Sequence, residues 1–158
     1  MEFLDIIQKR YSVRNYKLKP VEDEKLQQVL EAARLAPTGA NRQNFQLVVV
    51  HTKGREGEMT RIYGRDWFAQ VPVVICACAA PDYKLNVGIV MDHLILAATD
   101  LGLGTCWIGA FDRDAARDVL GLPGDVDPII MATLGYPADK PGAKKRKELS
   151  ELVRYEHW

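Results

Sequence analysis

The chain has no surplus of either charge. Its 21 Lys and Arg residues balance 21 Asp and Glu, which removes a global electrostatic case for nucleic acid or an anionic membrane surface. Cysteine is scarce as well: three residues, an odd number, without a charged-then-apolar leader fit a reduced compartment, and the cytoplasm is the expected address. Cys76 and Cys78 stand two apart in VPVVICACAA, where a strand points both to one buried face; that spacing suits neither a mutual disulfide nor a metal site. No apolar run reaches bilayer length, because the stretch from Val87 to Ala98 is about twelve residues long and carries Asp92 and His93. Repeats, low-complexity segments and linkers are absent, and 158 residues at 47% hydrophobic suit one domain spanning 1–158.

Catalytic side chains are equally few. His51, His93 and His157 are scattered, with His93 expected as a core residue of an apolar helix, and Ser12 has no triad context. No carboxylate pair marks acid–base work, and Gly102, Gly104 and Gly109 are spaced wrongly for a GxGxxG fingerprint. Either the protein only binds, or a cofactor supplies the reactivity.

What is present reads as a mixture of helices and strands. Phe3, Ile6 and Ile7 mark a short first helix that gives way to extended chain before Pro20. Val21 to Ala36 is the clearest helix, with Leu26, Val29, Leu30 and Ala33 on one stripe, acidic residues in the first turn and Pro37 as the stop. Phe45 to His51, Val71 to Ala79, the TCWIGAF segment and Pro128 to Leu134 read as strands; Gly54 to Tyr63 and Arg113 to Leu120 read as shorter helices. Leu85 to Leu101 is apolar on nearly every side, so a helix there needs cover all round, from the sheet and from a second subunit. From Pro137 the chain is basic and then weakly amphipathic; Leu149, Leu152, Val153, Tyr155 and Trp158 suit an arm, residues 137–158, that grips a partner subunit.

Four local clusters carry possible chemistry. In RYSVRNY an extended backbone puts Arg10, Ser12 and Arg14 on one face, suited to an anion and equally readable as a solvated surface. APTGANRQNF offers a glycine and several amides to a planar heterocycle, or is a helix stop with turn residues. In GLGTCWIGAF, glycines permit close backbone approach, and Trp107 either packs in the core or borders a ligand. Lys144 to Lys147 is a solvated run, a nucleic-acid contact or one jaw of a phosphate clamp; without interleaved aromatics, nucleic acid is the weakest of these.

Taken together and in this order, RYSVRNY, APTGANRQNF, LNVGIVMDHLILAATDLGLGTCWIGAF and LGYPADKPGAKKRKELSELV resemble the FMN-dependent nitroreductase family, in particular its short bacterial and archaeal members. The resemblance covers nearly the whole chain. It implies an α+β fold, a nitroreductase-like α/β/α sandwich with a central mixed sheet, in an intertwined homodimer with FMN at the subunit interface. It further implies cofactor-binding roles for Arg10, Tyr11, Ser12, Arg14, Lys144 and Arg146, for Pro37, Thr38, Gly39 and Asn41 reaching from the other subunit, and for Trp107, Ile108 and Gly109 beside the reactive ring. The implied activity is hydride uptake from NADH or NADPH and reduction of nitroaromatics, quinones or similar small acceptors by a ping-pong cycle, with no catalytic side chain, no metal, no nucleic acid and no membrane. Flavin binding without turnover, or a specialised flavin reaction such as reductive dehalogenation, are the alternatives. The chain departs from the family pattern where Asn44-Phe45 replaces the frequent Pro-Trp and where only Pro81 to Lys84 separate a strand from the apolar helix.

Overall fold

The computed structural model describes residues 2–158. Strands β1 (Gln46–His51), β2 (Val73–Ala79), β3 (Gly104–Ile108) and β4 (Asp127–Gly135) form one sheet in the order β1-β2-β4-β3, with every pair antiparallel. The parallel component of the expected mixed sheet is a single bridge, Ser12 to Thr105, which seats the N-terminal segment outside β3. β2 is buried along its whole length and β4 at every position after Asp127, which is why both read as nearly unbroken apolar sequence: they are covered on both faces.

The two-residue period of the strands divides the core. Val73, Ile75 and Ala77 of β2 with Ala132 and Leu134 of β4 meet α2 (Asp23–Arg34) and α5 (Lys84–Asp100). Val74, Cys76, Cys78 and Met131 face the other way, onto α3 (Glu56–Ile62), α4 (Asp66–Ala69) and α6 (Arg113–Leu120). The result is an α/β/α sandwich. Helix α6 shows how locally its ends are written: the Asp112 side chain accepts from Ala115 N at the start, and Gly121 takes the left-handed conformation at the end. As expected, Cys76 and Cys78 share one buried face; their sulfurs lie 3.6 Å apart and all three thiols are free.

One chain alone does not cover helix α5 all round. Val87, Val90, Met91, Leu94 and Ala98 take the core side, while Leu85, Gly88, Ile89, Asp92 and His93 form an open stripe on the other. His93 is therefore an exposed residue rather than the core residue its apolar surroundings suggested; its Nδ1 lies 3.1 Å from Ile89 O. Helix α1 (Phe3–Lys9) packs on α5 with Phe3, Leu4 and Ile7 exposed, and α7 (Leu149–Leu152) closes the C-terminal arm with a capping box between Glu148 and Glu151. Among the described residues no helix is long and apolar enough to cross a membrane.

Candidate functional site

The site begins where α1 ends. Arg10 N–H donates to Ile6 O, the chain turns extended, and Val13 N–H donates to Thr105 O at 2.9 Å, so residues 10–14 run beside β3. This contact demands glycine at 104: a Cβ there would lie 2.5 Å from Val13 Cγ2. Val13 is buried, and Arg10, Ser12 and Arg14 alternate with it as the sequence pattern requires. Burial raises the pKa of the Cys106 thiol, while Arg14, Ser12 and Arg10 oppose the shift.

The C-terminal segment is then drawn back along the same stretch. Lys17 N–H donates to Tyr136 O, Ala138 N–H donates to Asn15 O, and Tyr16 bridges Pro137. Asp139 is the clasp: its carboxylate accepts from Arg14 N–H at 2.9 Å and from Tyr11 OH at 3.2 Å. Burial and then the charge of Asp139 raise the pKa of Tyr11, keeping its hydroxyl protonated. This return brings Lys144 to α1, where its ammonium donates to Gln8 O. The Lys144 pKa is lowered by burial, then by the like charges of Arg10 and Arg146, so three cations share one neighbourhood. Among the described residues, no carboxylate forms an ion pair with the charged groups of Arg10, Arg14, Lys144 or Arg146.

On β3, Ile108 is buried, Gly109 is exposed just past the strand, and Trp107 is 40% exposed between buried neighbours. A fixed hydrogen-bond chain holds this strand from behind. Cys106 N–H donates to Thr133 Oγ1, and the Tyr16 hydroxyl lies 2.6 Å from that oxygen while donating to Val13 O. Burial pushes the Tyr16 phenol pKa far up, so it stays a donor.

The loop from Pro37 to Asn44 is built differently. Gly39–Asn41 form one 3-10 turn, and Ala40, Asn41 and Gln43 all have φ near +50°, a conformation that side chains other than glycine resist. Side chains hold it there: Gln43 N–H donates to Thr38 Oγ1, Gln43 Nε2 to Asn41 O, and Gly39 N–H to Asn86 Oδ1 at 3.1 Å. Pro37, Gly39 and Asn41 are exposed and Thr38 half-buried.

The structure thus runs Arg10, Tyr11, Ser12 and Arg14 beside β3, the strand that carries Trp107 and Ile108 and leads into Gly109, and brings Lys144 and Arg146 to the Arg10 end of that segment. It does not bring Pro37, Thr38, Gly39 and Asn41 to them. That loop feeds β1 at the far edge of the sheet, three strand spacings from β3 and four, or about 19 Å, from the segment of residues 10–14. The cavity beside Arg10 and Gly104 is only about 160 Å³, below the ~300 Å³ where small-molecule sites begin. Another cavity, of about 530 Å³, is lined by Leu18, His51 and Lys53 among others and touches none of the sequence-predicted residues. Asp139, Tyr16, Thr133 and Asn86 escaped the sequence reading as site residues, and Asn44 entered it only as a departure from the family pattern; of the four, only Asn86, a polar residue on the core-facing stripe of an apolar helix, carried a signal for it.

A family model described as "Putative TM nitroreductase" matches residues 2–158. The chain belongs to the nitroreductase family. It is 30% identical over 173 residues to the "FMN reductase [NAD(P)H]" of Bacillus subtilis, across 92% of this chain and 69% of that protein. It is 29% identical over 152 residues to a "Putative NADH dehydrogenase/NAD(P)H nitroreductase" of Archaeoglobus fulgidus, across 88% of this chain and 87% of the relative. Among solved structures, a nitroreductase family protein from Clostridium difficile superposes with a TM-score of 0.91 at 35% identity, covering 100% of both chains. The nitroreductase fold accounts for the four antiparallel strands between two helical layers.

Proposed function

We propose that this nitroreductase is an FMN-dependent NAD(P)H oxidoreductase that reduces nitroaromatics, quinones or similar small acceptors by a ping-pong cycle. The observation that carries this reading is the gathering of Arg10, Lys144 and Arg146 without carboxylate partners, beside Ser12 and Arg14. Three clustered cations repel one another, and a phosphate dianion relieves that repulsion while accepting several charge-assisted hydrogen bonds. The residues present therefore fit the phosphate end of a flavin mononucleotide. When bound, the flavin supplies the hydride chemistry.

The protein's own groups bind and orient. Arg10, Lys144 and Arg146 hold the phosphate with Tyr11 and Ser12 alongside, and Arg14 favours negative charge toward the ribityl chain or pyrimidine edge. Backbone at Trp107, Ile108 and Gly109 would border the ring, on a strand held through Thr133 and Tyr16. No side chain is assigned as acid or base.

The other half of the site comes from a second copy in a homodimer. The loop bearing Pro37, Thr38, Gly39 and Asn41 sits at the wrong edge of its own sheet, so it serves the partner's flavin. Exposed apolar side chains support this assembly: Leu85 is 79% exposed on α5, and Leu149 and Trp158 of the arm are 72% and 106% exposed. Such a surface suits a subunit interface. Three free buried thiols fit a reducing, cytoplasmic setting.

Titrating the purified protein with FMN by flavin fluorescence, alongside sedimentation equilibrium, tests this reading. A dimer taking up one FMN per chain is expected; a monomer, or a protein that leaves flavin fluorescence unchanged, refutes it.

A further inference from the structure

One buried side chain outside the cofactor-binding set bears on the loop that the flavin reading above assigns to the partner's site, and the inference rests on that reading. Asn86 lies in the first turn of α5, on the stripe that otherwise carries Val87, Val90, Met91 and Leu94 into the core, and it is 8% exposed. Both ends of its amide are used. Oδ1 accepts from Gly39 N–H at 3.1 Å, and Nδ2 donates to Asn44 Oδ1 at 3.1 Å. The Gly39 amide can only donate, so it fixes which way Asn86 faces, and Asn86 then fixes which way Asn44 faces. A fully buried donor, Asn44 Nδ2, is left without a partner.

The two anchored residues bracket the strained turn, at 39 and 44, and the three positive φ values at 40, 41 and 43 lie between them. Strain of this kind persists only where surrounding structure over-determines it. Asn86 is the group that does so from outside the loop, since the other side-chain bonds, from Gln43 to Thr38 and to Asn41, are internal.

We propose that Asn86 is a positioning residue: by clamping Gly39 and Asn44 to α5 it sets the shape of the loop that meets the partner's flavin. The geometry distinguishes this role from simple core stability through the chemistry of its substitutes. Asn86→Leu keeps the branched heavy-atom outline and removes both hydrogen bonds. Asn86→Asp keeps the acceptor for Gly39 N–H and offers a second oxygen to Asn44, whose amide then turns to donate through Nδ2. The aspartate thus restores both anchors, and the Asn44 oxygen takes the place of the unpartnered donor.

The test measures FMN dissociation constants by fluorescence, the visible circular dichroism of bound flavin, melting temperature and sedimentation for wild type, Asn86→Leu and Asn86→Asp. Expected are dimers throughout, FMN binding weakened at least tenfold with altered flavin dichroism in Asn86→Leu, and binding within about threefold of wild type in Asn86→Asp. A dimeric Asn86→Leu that binds FMN like wild type overturns the proposal and leaves the flavin reading intact. So does FMN loss that merely accompanies loss of the dimer, or an aspartate variant as weak as the leucine one. Wild type that does not bind FMN overturns both. Should Asn86→Leu fail to fold, Asn86→Ala is read by the same criteria.

Discussion

Gly104→Ala is the substitution that reaches the site most directly through packing. The backbone at 104 is not left-handed, so alanine suffers only from what its methyl would meet. That methyl would sit 2.5 Å from Val13 Cγ2, 3.1 Å from Val13 Cβ and 3.2 Å from Val13 Cγ1. Carbon contacts are comfortable from about 3.5 Å, so the worst pair must separate by about 1 Å. Val13 cannot yield freely. Its N–H is bonded to Thr105 O, its carbonyl accepts from the Tyr16 hydroxyl, and its side chain is 1% exposed. Overpacking of this kind costs about 1–3 kcal/mol. For a domain of this size that lowers the melting temperature by about 2–12 °C. Because residues 10–14 must move with Val13, FMN affinity falls too. Val13→Ala alone costs about 1.5–3 kcal/mol in lost burial. The double variant removes both Val13 methyls, the 2.5 Å contact with Cγ2 among them, so its loss should fall short of the sum of the single losses by at least about 1 kcal/mol. Thermal melts and FMN titrations of the four proteins in the cycle decide it. Additive losses, or a Gly104→Ala protein that melts and binds like wild type, would refute the reasoning.

Further outcomes follow from the same geometry. Arg10→Ala should weaken FMN binding by about 10- to 100-fold, the scale of a hydrogen bond to a charged group, and Arg146→Ala should weaken it in the same direction; unchanged affinity in both rules out the clamp. Removing residues 148–158 should shift sedimentation toward monomer, and a dimer of unchanged affinity would reject the arm's role. Glu22 accepts from Tyr136 OH at 2.6 Å and from Lys19 Nζ at 2.9 Å. Those bonds, the tyrosine first, lower its pKa from 4.5 to about 2. A depressed carboxylate pKa gives stability that is present above pH 4.5 and is lost as pH falls toward 2. Glu22→Gln should therefore show a shallower acid decline in melting temperature across that window, and a decline parallel to wild type would count against the assignment.

The elements most legible in the sequence were those written by period and punctuation. Arg113 to Leu120 came out as α6 residue for residue, because Asp112 caps it and Gly121 ends it. Leu85 to Leu101 and Pro128 to Leu134 emerged within a residue or so as α5 and β4. Shorter pieces did not: α4 is a single turn whose Phe68 belongs to the core, and no period survives over four residues. His93 was misplaced because composition shows that a helix is apolar, whereas only its rotation against the sheet shows which stripe stays open. The cation cluster was readable as separate runs at 10–14 and 144–147, but their meeting depends on Asp139, which stands far from residue 14 in sequence and announces nothing by itself. Asn86 illustrates the same limit, since its two partners lie in a loop more than forty residues upstream.

Turnover of a bound flavin by a nicotinamide donor is what makes this chain a reductase. It is tested most directly by following the oxidised flavin absorption of the FMN-loaded protein without oxygen while NADH and then NADPH are added. Rapid bleaching by at least one of them is expected, with recovery of the band when a quinone or nitroaromatic is supplied. A bound flavin that both nucleotides leave oxidised, while dithionite bleaches it, would contradict the account and make the protein a flavin binder rather than a reductase.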